Sequence, residues 1–349
     1  PAQTAGAALL TDYILTVAVS ISSGVAQIVS AFPNLYAYRV IIAVALVLFI
    51  MVINLRGVKE SGVLFAIPTY FFLLTMAFTV GLGIVRFLGG NLGSVVNPPS
   101  SEMLTTVGVI TPFLLLHAFS SGTSAMTGIE AISNGITAFK EPRSKNAGLT
   151  LIWMSSILAV LFLSISFLSG KIGAVPSEME TVISQLTRTI YGGQGFLYLA
   201  VISGTAIILI MAANTAFADF PRLGAIQAGD GFLPRQLTFR GSRLVYSRGI
   251  VVLALIASTL IIFFQANVTR MIPLYAIGVF LSFTLSQAGM VRRWFRLRES
   301  RWQVKAVINR LGAVLCAVVM LVFPATQFMD GAWIVVIMIS AMVFVFFRI

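Results

Sequence analysis

Asp12, Thr16 and Ser20, in the run TDYILTVAVSISSG, recur at every fourth residue of an apolar stretch. Four residues advance a helix by about 400°, so the three oxygen-bearing side chains form one stripe that drifts slightly at each step. A carboxylate inside a membrane span costs about 2.5–3.5 kcal/mol on insertion scales, and its default reading is functional. Such an acid can neutralise a cation directly or carry the proton that drives one. Thr16 and Ser20 admit a second reading, in which each hydroxyl bonds back to a carbonyl of its own helix. Stacked on the face of Asp12, they read better as ligands.

A second oxygen-rich stretch interrupts the apolar run Val107–Phe139. Its first part, to Phe119, is helical in pattern and carries the only histidine, His117. The pattern then loosens into SSGTSAMTG, where Gly122 and Gly128 flank Thr123, Ser124 and Thr127, and it resumes at Ile129. In lipid every backbone N–H and C=O must be paired, so an unwound stretch survives only where it lines a cavity. There the freed carbonyls and half-helix ends become ligands for substrate near mid-membrane. A small-residue helix interface is the alternative. Polar residues fill the whole interruption rather than one side of it, which argues for the broken helix. The stripe headed by Asp12 is expected to aim at this break.

Glu130 just beyond the break either takes part in proton coupling or caps the resumed helix, where negative charge is favourable; the cap fits better. His117 reads as a core residue rather than a relay. Asn214, Thr215 and Asp219 are expected to cluster on one span, with Asp219 paired with Arg222 at its end. Tyr275, after Pro273 in IPLYAIG, reads equally as a cavity residue and as an interfacial aromatic. Carboxylate, hydroxyl and carbonyl oxygens suit a hard cation, whereas the thiolate and imidazole clusters that hold transition metals are missing from the sequence. An amino acid substrate would use the same break, its carboxylate held at a half-helix N-terminus. No GxxxxGK[ST] loop is present, so nucleotide hydrolysis by that route is excluded.

The elements that must position these residues follow from composition. The chain has 349 residues, 58% hydrophobic and 10% charged, with a mean hydropathy of +0.98. A span needs about 20 apolar residues, and a soluble domain has no use for this much apolar sequence. The chain reads as an all-α integral membrane protein with ten spans, one of them broken. They lie at Gly6–Phe32, Arg39–Leu55, Val63–Phe87, Val107–Phe139, Leu149–Ile172, Gly195–Asp219, Arg248–Ala266, Ile272–Val291, Leu311–Phe323 and Ala332–Phe347. The net charge of +12 lies between spans and orients the chain; it does not imply nucleic acid. Only Arg39, Arg86, Lys171, Arg188 and Arg270 fall in loops of one side, leaving 18 of the 23 basic residues on the other. That bias puts both chain ends in the cytoplasm. Cys316, the single cysteine, excludes a disulfide framework. The start, PAQTAG, carries no initiator Met and no signal peptide, and reads as the interior of a longer polypeptide. No internal repeat is legible.

The runs TGIEAISNGITAFKEPRSKNA, AANTAFADFPRLGAIQAGDGFLPRQL and IPLYAIGVFLSFTLSQAGMVRRWFR resemble the amino acid–polyamine–organocation (APC) superfamily of permeases. More closely, they resemble its KUP-related branch of KimA-type potassium–proton symporters, over essentially the whole chain. The resemblance implies a LeuT-like inverted-repeat transporter, entered here at family helix 3 and lacking the first two helices. It also implies that a cytoplasmic nucleotide-sensing domain is absent, and any nucleotide regulation with it. It matches Asp12, Thr16 and Ser20 to the family's acid-and-hydroxyl stripe, and Thr127 to the hydroxyl of the broken helix. Together these would hold potassium. Tyr275 matches the helix 10 tyrosine.

Three functions follow. The first is import of potassium with protons by alternating access, with no bound cofactor. The second is an amino acid or polyamine permease of the same fold. The third is a membrane scaffold or sensor without transport. None is an enzyme. The expected partners are the plasma-membrane bilayer, a small cation and a second copy in a homodimer.

Overall fold

Apart from the stripe headed by Asp12, the first helix is apolar around its circumference, and a helix of that kind is buried in a core or in lipid. In the computed structural model α1 (Ala2–Ala31) runs through the middle of the bundle. The model describes residues 2–57, 62–98, 111–123, 125, 128–129, 132, 135–136, 139–239, 246–328 and 333–348. Around α1 stand α2 (Arg39–Leu55), α7 (Phe196–Gly229), α8 (Ser247–Phe263), α9 (Val268–Leu297) and α11 (Trp333–Arg348). Its side chains Leu10, Ile14, Leu15, Val17 and Ile21 join Phe217, Leu253, Met271 and Phe323 in the main core.

The remaining helices flank this centre. They are α3 (Gly62–Leu88), α4 (Pro112–Thr123), α5 (Arg143–Ile172), the short α6 (Val182–Tyr191) and α10 (Trp302–Gln327). Their outer faces leave Leu74, Phe78, Trp153, Leu163, Leu315 and Leu321 exposed. Such a surface would associate in water but is at ease in hydrocarbon. Among the described residues seven helices are long and apolar enough to cross a membrane, and α8 and α11 are shorter apolar helices.

Nine of the ten expected spans coincide with helices. For the fourth, the described residues form α4 and a few isolated positions beyond it. Four helices, α5, α7, α9 and α10, run well past the expected ends. Thus α7 continues ten residues past Asp219 to Gly229, and α10 begins at Trp302 rather than Leu311. The apolar pattern stops at the hydrocarbon boundary, while backbone hydrogen bonding continues past it. At about 1.5 Å per residue, the 34 residues of α7 reach about 51 Å, well beyond a 30 Å hydrocarbon layer.

Close crossings depend on glycine. A Cβ on Gly24 would stand 3.2 Å from the carbonyl oxygen of Ala206, and one on Gly249 would stand 2.9 Å from the Pro221 side chain. Small residues at such points let helices approach where lipid supplies no hydrophobic drive.

One helix was not anticipated. α6 is short and amphipathic, with Thr181 as its N-cap: the Thr181 side chain accepts from Ser184 N at 3.2 Å. Leu186 and Ile190 bury against Leu168 and Ile172 of α5. Glu180 grips Arg188 through two bonds, Nε at 3.2 Å and Nη2 at 3.1 Å. The five minority basic residues gather at this same end. There Arg39 donates to Gln265 O at 2.9 Å, Arg188 donates to Val96 O at 2.9 Å, and Lys171 lies 5.6 Å from the rings of Phe87 and Phe167.

Candidate functional site

Asp12 is wholly buried, 0% exposed, on the α1 face crossed by α9. A Cβ on Gly278 of α9 would lie 3.1 Å from Ala8 O and 3.6 Å from the Asp12 Cβ. A side chain there would press on the α1 backbone, so Asp12 lies where α1 and α9 cross closely. The neighbouring Thr11 points elsewhere, donating to Ala7 O at 2.9 Å and touching Met342 Sδ of α11 at 3.3 Å.

Thr16, one turn along, is half-buried. Its Oγ1 is shut away from solvent and makes no hydrogen bond, so the back-bonded alternative does not hold for it. The hydroxyl of Ser22 is in the same condition. A buried hydroxyl left in this state carries a desolvation cost that an incoming hydrogen-bonding or ionic partner would relieve. Ser20, one turn beyond Thr16, is half-buried too.

The stripe continues further than anticipated. Ser23 lies three residues past Ser20, and with Ser22, Gln27, Glu178, Thr181 and Asn267 it lines a cavity of about 300 Å³ at the end of the bundle that carries α6. From Asp12 to Ser23 the helix rises about 16 Å. Gln27 accepts from Thr181 Oγ1 at 3.0 Å, and Ser30 Oγ accepts from Thr181 N at 2.9 Å. Glu178 accepts from Tyr36 Oη at 3.3 Å and also from Asn267 Nδ2. The fourfold and threefold spacing 12, 16, 20, 23, 27 was readable in the sequence; the residues facing it across the cavity were not.

The rest of the expected site is only partly in view. Thr123 closes α4 and donates to Ser120 O at 2.7 Å. Gly122 lies in the last turn of α4, where among the described residues a Cβ would meet only Phe162, at 3.9 Å. Gly128 has φ +95°, a left-handed backbone that favours glycine. Ser124, Thr127 and Glu130 lie outside the described residues. Tyr275 is a helical residue of α9, three before Gly278; its side chain lies outside the description.

α4 packs on α10, where Ser120 and Thr326 hydroxyls meet at 3.2 Å. The face of Asp12 therefore meets α9, and not the described part of the fourth span. Periodicity gives the face of a helix but not the partner across it. His117 stacks on Phe113 with centroids 6.4 Å apart.

Two expectations about α7 are revised. Asn214 accepts from Asn54 Nδ2 of α2 at 2.6 Å, and Thr215 bonds back to Ala212 O at 2.7 Å, so they do not form one cluster. Asp219 and Arg222 make no contact-distance ion pair, although the Arg222 charge acts on the Asp219 carboxyl from further off; the close pairs among the described residues are Arg143–Glu141 and Arg188–Glu180. Arg222 is exposed, and an exposed guanidinium gains little from pairing.

The arrangement is thus a buried carboxylate at a helix crossing, followed by hydroxyls that lead to a polar cavity. It can bind a small cation with partial loss of its hydration, or hold a proton at the same oxygens. Comparison with known proteins adds two findings. Residues 1–347 match the family model described as amino acid permease. The chain is also 45% identical over 350 residues to the potassium transporter KimA of Bacillus subtilis (strain 168), across 100% of this chain and 57% of that protein. The chain therefore spans little more than half the length of that relative.

Proposed function

Because this chain belongs to the amino acid permease family, we propose that it forms the transport core of a secondary importer that takes up potassium together with protons. The observation that carries this reading is Asp12, wholly buried on α1 and continued by Thr16 and Ser20. Its carboxylate neutralises the cation, and hydroxyl oxygens replace part of the hydration shell. Thr127 and Tyr275 would complete the site from the broken helix and from α9. For cation and proton to enter together, a second acid such as Glu130 carries the proton while Asp12 holds the cation; one carboxylate alternating between the two would exchange them instead. The identity to a potassium transporter supports the choice of cation.

An amino acid permease is the second reading, favoured by the description of the matching family. Uptake by the full-length protein separates the two. Rubidium is expected to accumulate, to be displaced by potassium and to stop when a protonophore collapses the proton gradient. Accumulation of an amino acid with no rubidium uptake would overturn the cation reading.

The charge bias supports cytoplasmic chain ends. A single cysteine at Ser300, in a background with Cys316→Ala, is expected to react only with reagents that enter the cell. One at Asn97 is expected to react from outside. The reverse pattern inverts the topology.

A further inference from the structure

The turn between α9 and α10 carries charge that the transport reading does not use. Between Val291 and Leu311 stand six arginines and Lys305, against the single carboxylate of Glu299. None of these cations takes part in the ion pairs found among the described residues, which are Arg143–Glu141 and Arg188–Glu180. Arg292, Arg293 and Arg296, with Gly289 and Leu297, line a cavity of about 390 Å³ on the last turns of α9. All three arginines are exposed.

This end of the hairpin is held rigidly. Trp294 Nε1 donates to Asn309 Oδ1 at 2.8 Å, and Asn309 Nδ2 donates to Gln287 Oε1. Lys305 Nζ lies 4.5 Å from the Trp294 ring centroid, and Phe295 meets Trp302 edge-on at 5.2 Å. Tryptophans at this level mark the membrane–water interface. The hairpin therefore presents the guanidiniums at headgroup depth, where their planar donor forks match phosphate oxygens in pairs. The same hairpin exposes Val304, Val307, Ile308 and Leu311, an apolar surface on which acyl chains can lie.

We propose that Arg292, Arg293 and Arg296 form a binding groove for the phosphodiester headgroup of an anionic phospholipid. The lipid supplies negative charge that this segment lacks, and its chains cover the exposed apolar flank of α10. A free inorganic phosphate would satisfy the arginines but leave that flank without a role.

The full-length protein, purified in a neutral detergent, tests this by native mass spectrometry after titration with phosphatidylglycerol, cardiolipin or phosphatidylcholine. The two anionic lipids are expected to be retained and phosphatidylcholine is not. Each guanidinium is expected to contribute about fivefold, so Arg292→Gln, Arg293→Gln and Arg296→Gln together weaken retention on the order of a hundredfold. Should that triple variant fail to fold, Arg296→Gln alone carries the test at about fivefold.

The control Arg298→Gln, Arg301→Gln and Lys305→Gln removes the same charge outside the groove and is expected to weaken retention far less. Equal losses from the two triple variants would mean a diffuse field and overturn the groove. So would equal retention of phosphatidylcholine. Displacement of the lipid by millimolar inorganic phosphate would overturn the lipid as occupant, leaving a free-anion site. No arm depends on which substrate is transported.

Discussion

Asp12→Asn in the full-length protein is expected to abolish concentrative rubidium uptake while leaving delivery to the membrane intact. The substitution keeps the shape of the side chain and removes its charge. At an effective dielectric of about 20, a carboxylate attracts a monovalent cation 4 Å away by about 4 kcal/mol, worth roughly three orders of magnitude in occupancy. Insertion should improve, since a buried amide costs less than a buried carboxylate.

Thr16→Val is the graded companion. Its Oγ1 makes no bond to the helix, so valine costs the fold little. Loss of one neutral oxygen, about 0.5–1.5 kcal/mol, should raise the half-saturating cation concentration by about two- to tenfold. Parental rubidium accumulation by Asp12→Asn would make the stripe structural and move the amino acid permease reading ahead.

Gly278→Leu is expected to have an effect of comparable size by a different route. The obstacle at 3.1 Å is the backbone oxygen of Ala8, which cannot turn aside as a side chain could. α9 must therefore back away from α1, and the shift falls on the residue that carries the charge. Overpacking of this kind costs about 1–3 kcal/mol, enough to lower the unfolding temperature by several degrees. Uptake should fall to background. Gly170→Leu on α5 is the matched control: the position is exposed and a Cβ there meets nothing within 4 Å. If Gly278→Leu and Gly170→Leu both transport at the parental rate, the α1–α9 crossing is not part of the site.

The spans were legible because hydropathy over twenty residues is a strong local signal, and α1 through α3 end within a residue or two of their expected limits. The stripe on α1 was legible for a related reason, as a fourfold spacing can be read without knowing any neighbour. α6 was overlooked because ten residues with one apolar face are too short and too polar to register as a span. Its spacing, Leu186 to Ile190 after a threonine cap, was nevertheless present.

The partners of Asp12 and of Asn214 were beyond reach. Gly278 is 266 residues from Asp12, and Asn54 is 160 from Asn214; only the packing of whole helices brings each pair together. The Asp219–Arg222 pair shows the opposite error. Proximity in sequence suggested a direct bond, where an exposed guanidinium keeps only a longer-range attraction.

The hydrogen bonds around Glu178 and Thr181 have a bearing on how fast the molecule can cycle. They fasten the segment before α6 to α1, to the turn at Tyr36 and to the start of α9. Any conformation in which that end opens wide must first give up these four bonds. At about 1 kcal/mol net for each, these bonds alone weight the equilibrium against an open form by about a thousandfold. To that extent a solute arriving from that side meets molecules that cannot admit it, and its apparent dissociation constant is weakened by the same factor. Loosening the latch, by Glu178 or Thr181 alone, trades that handicap against leak.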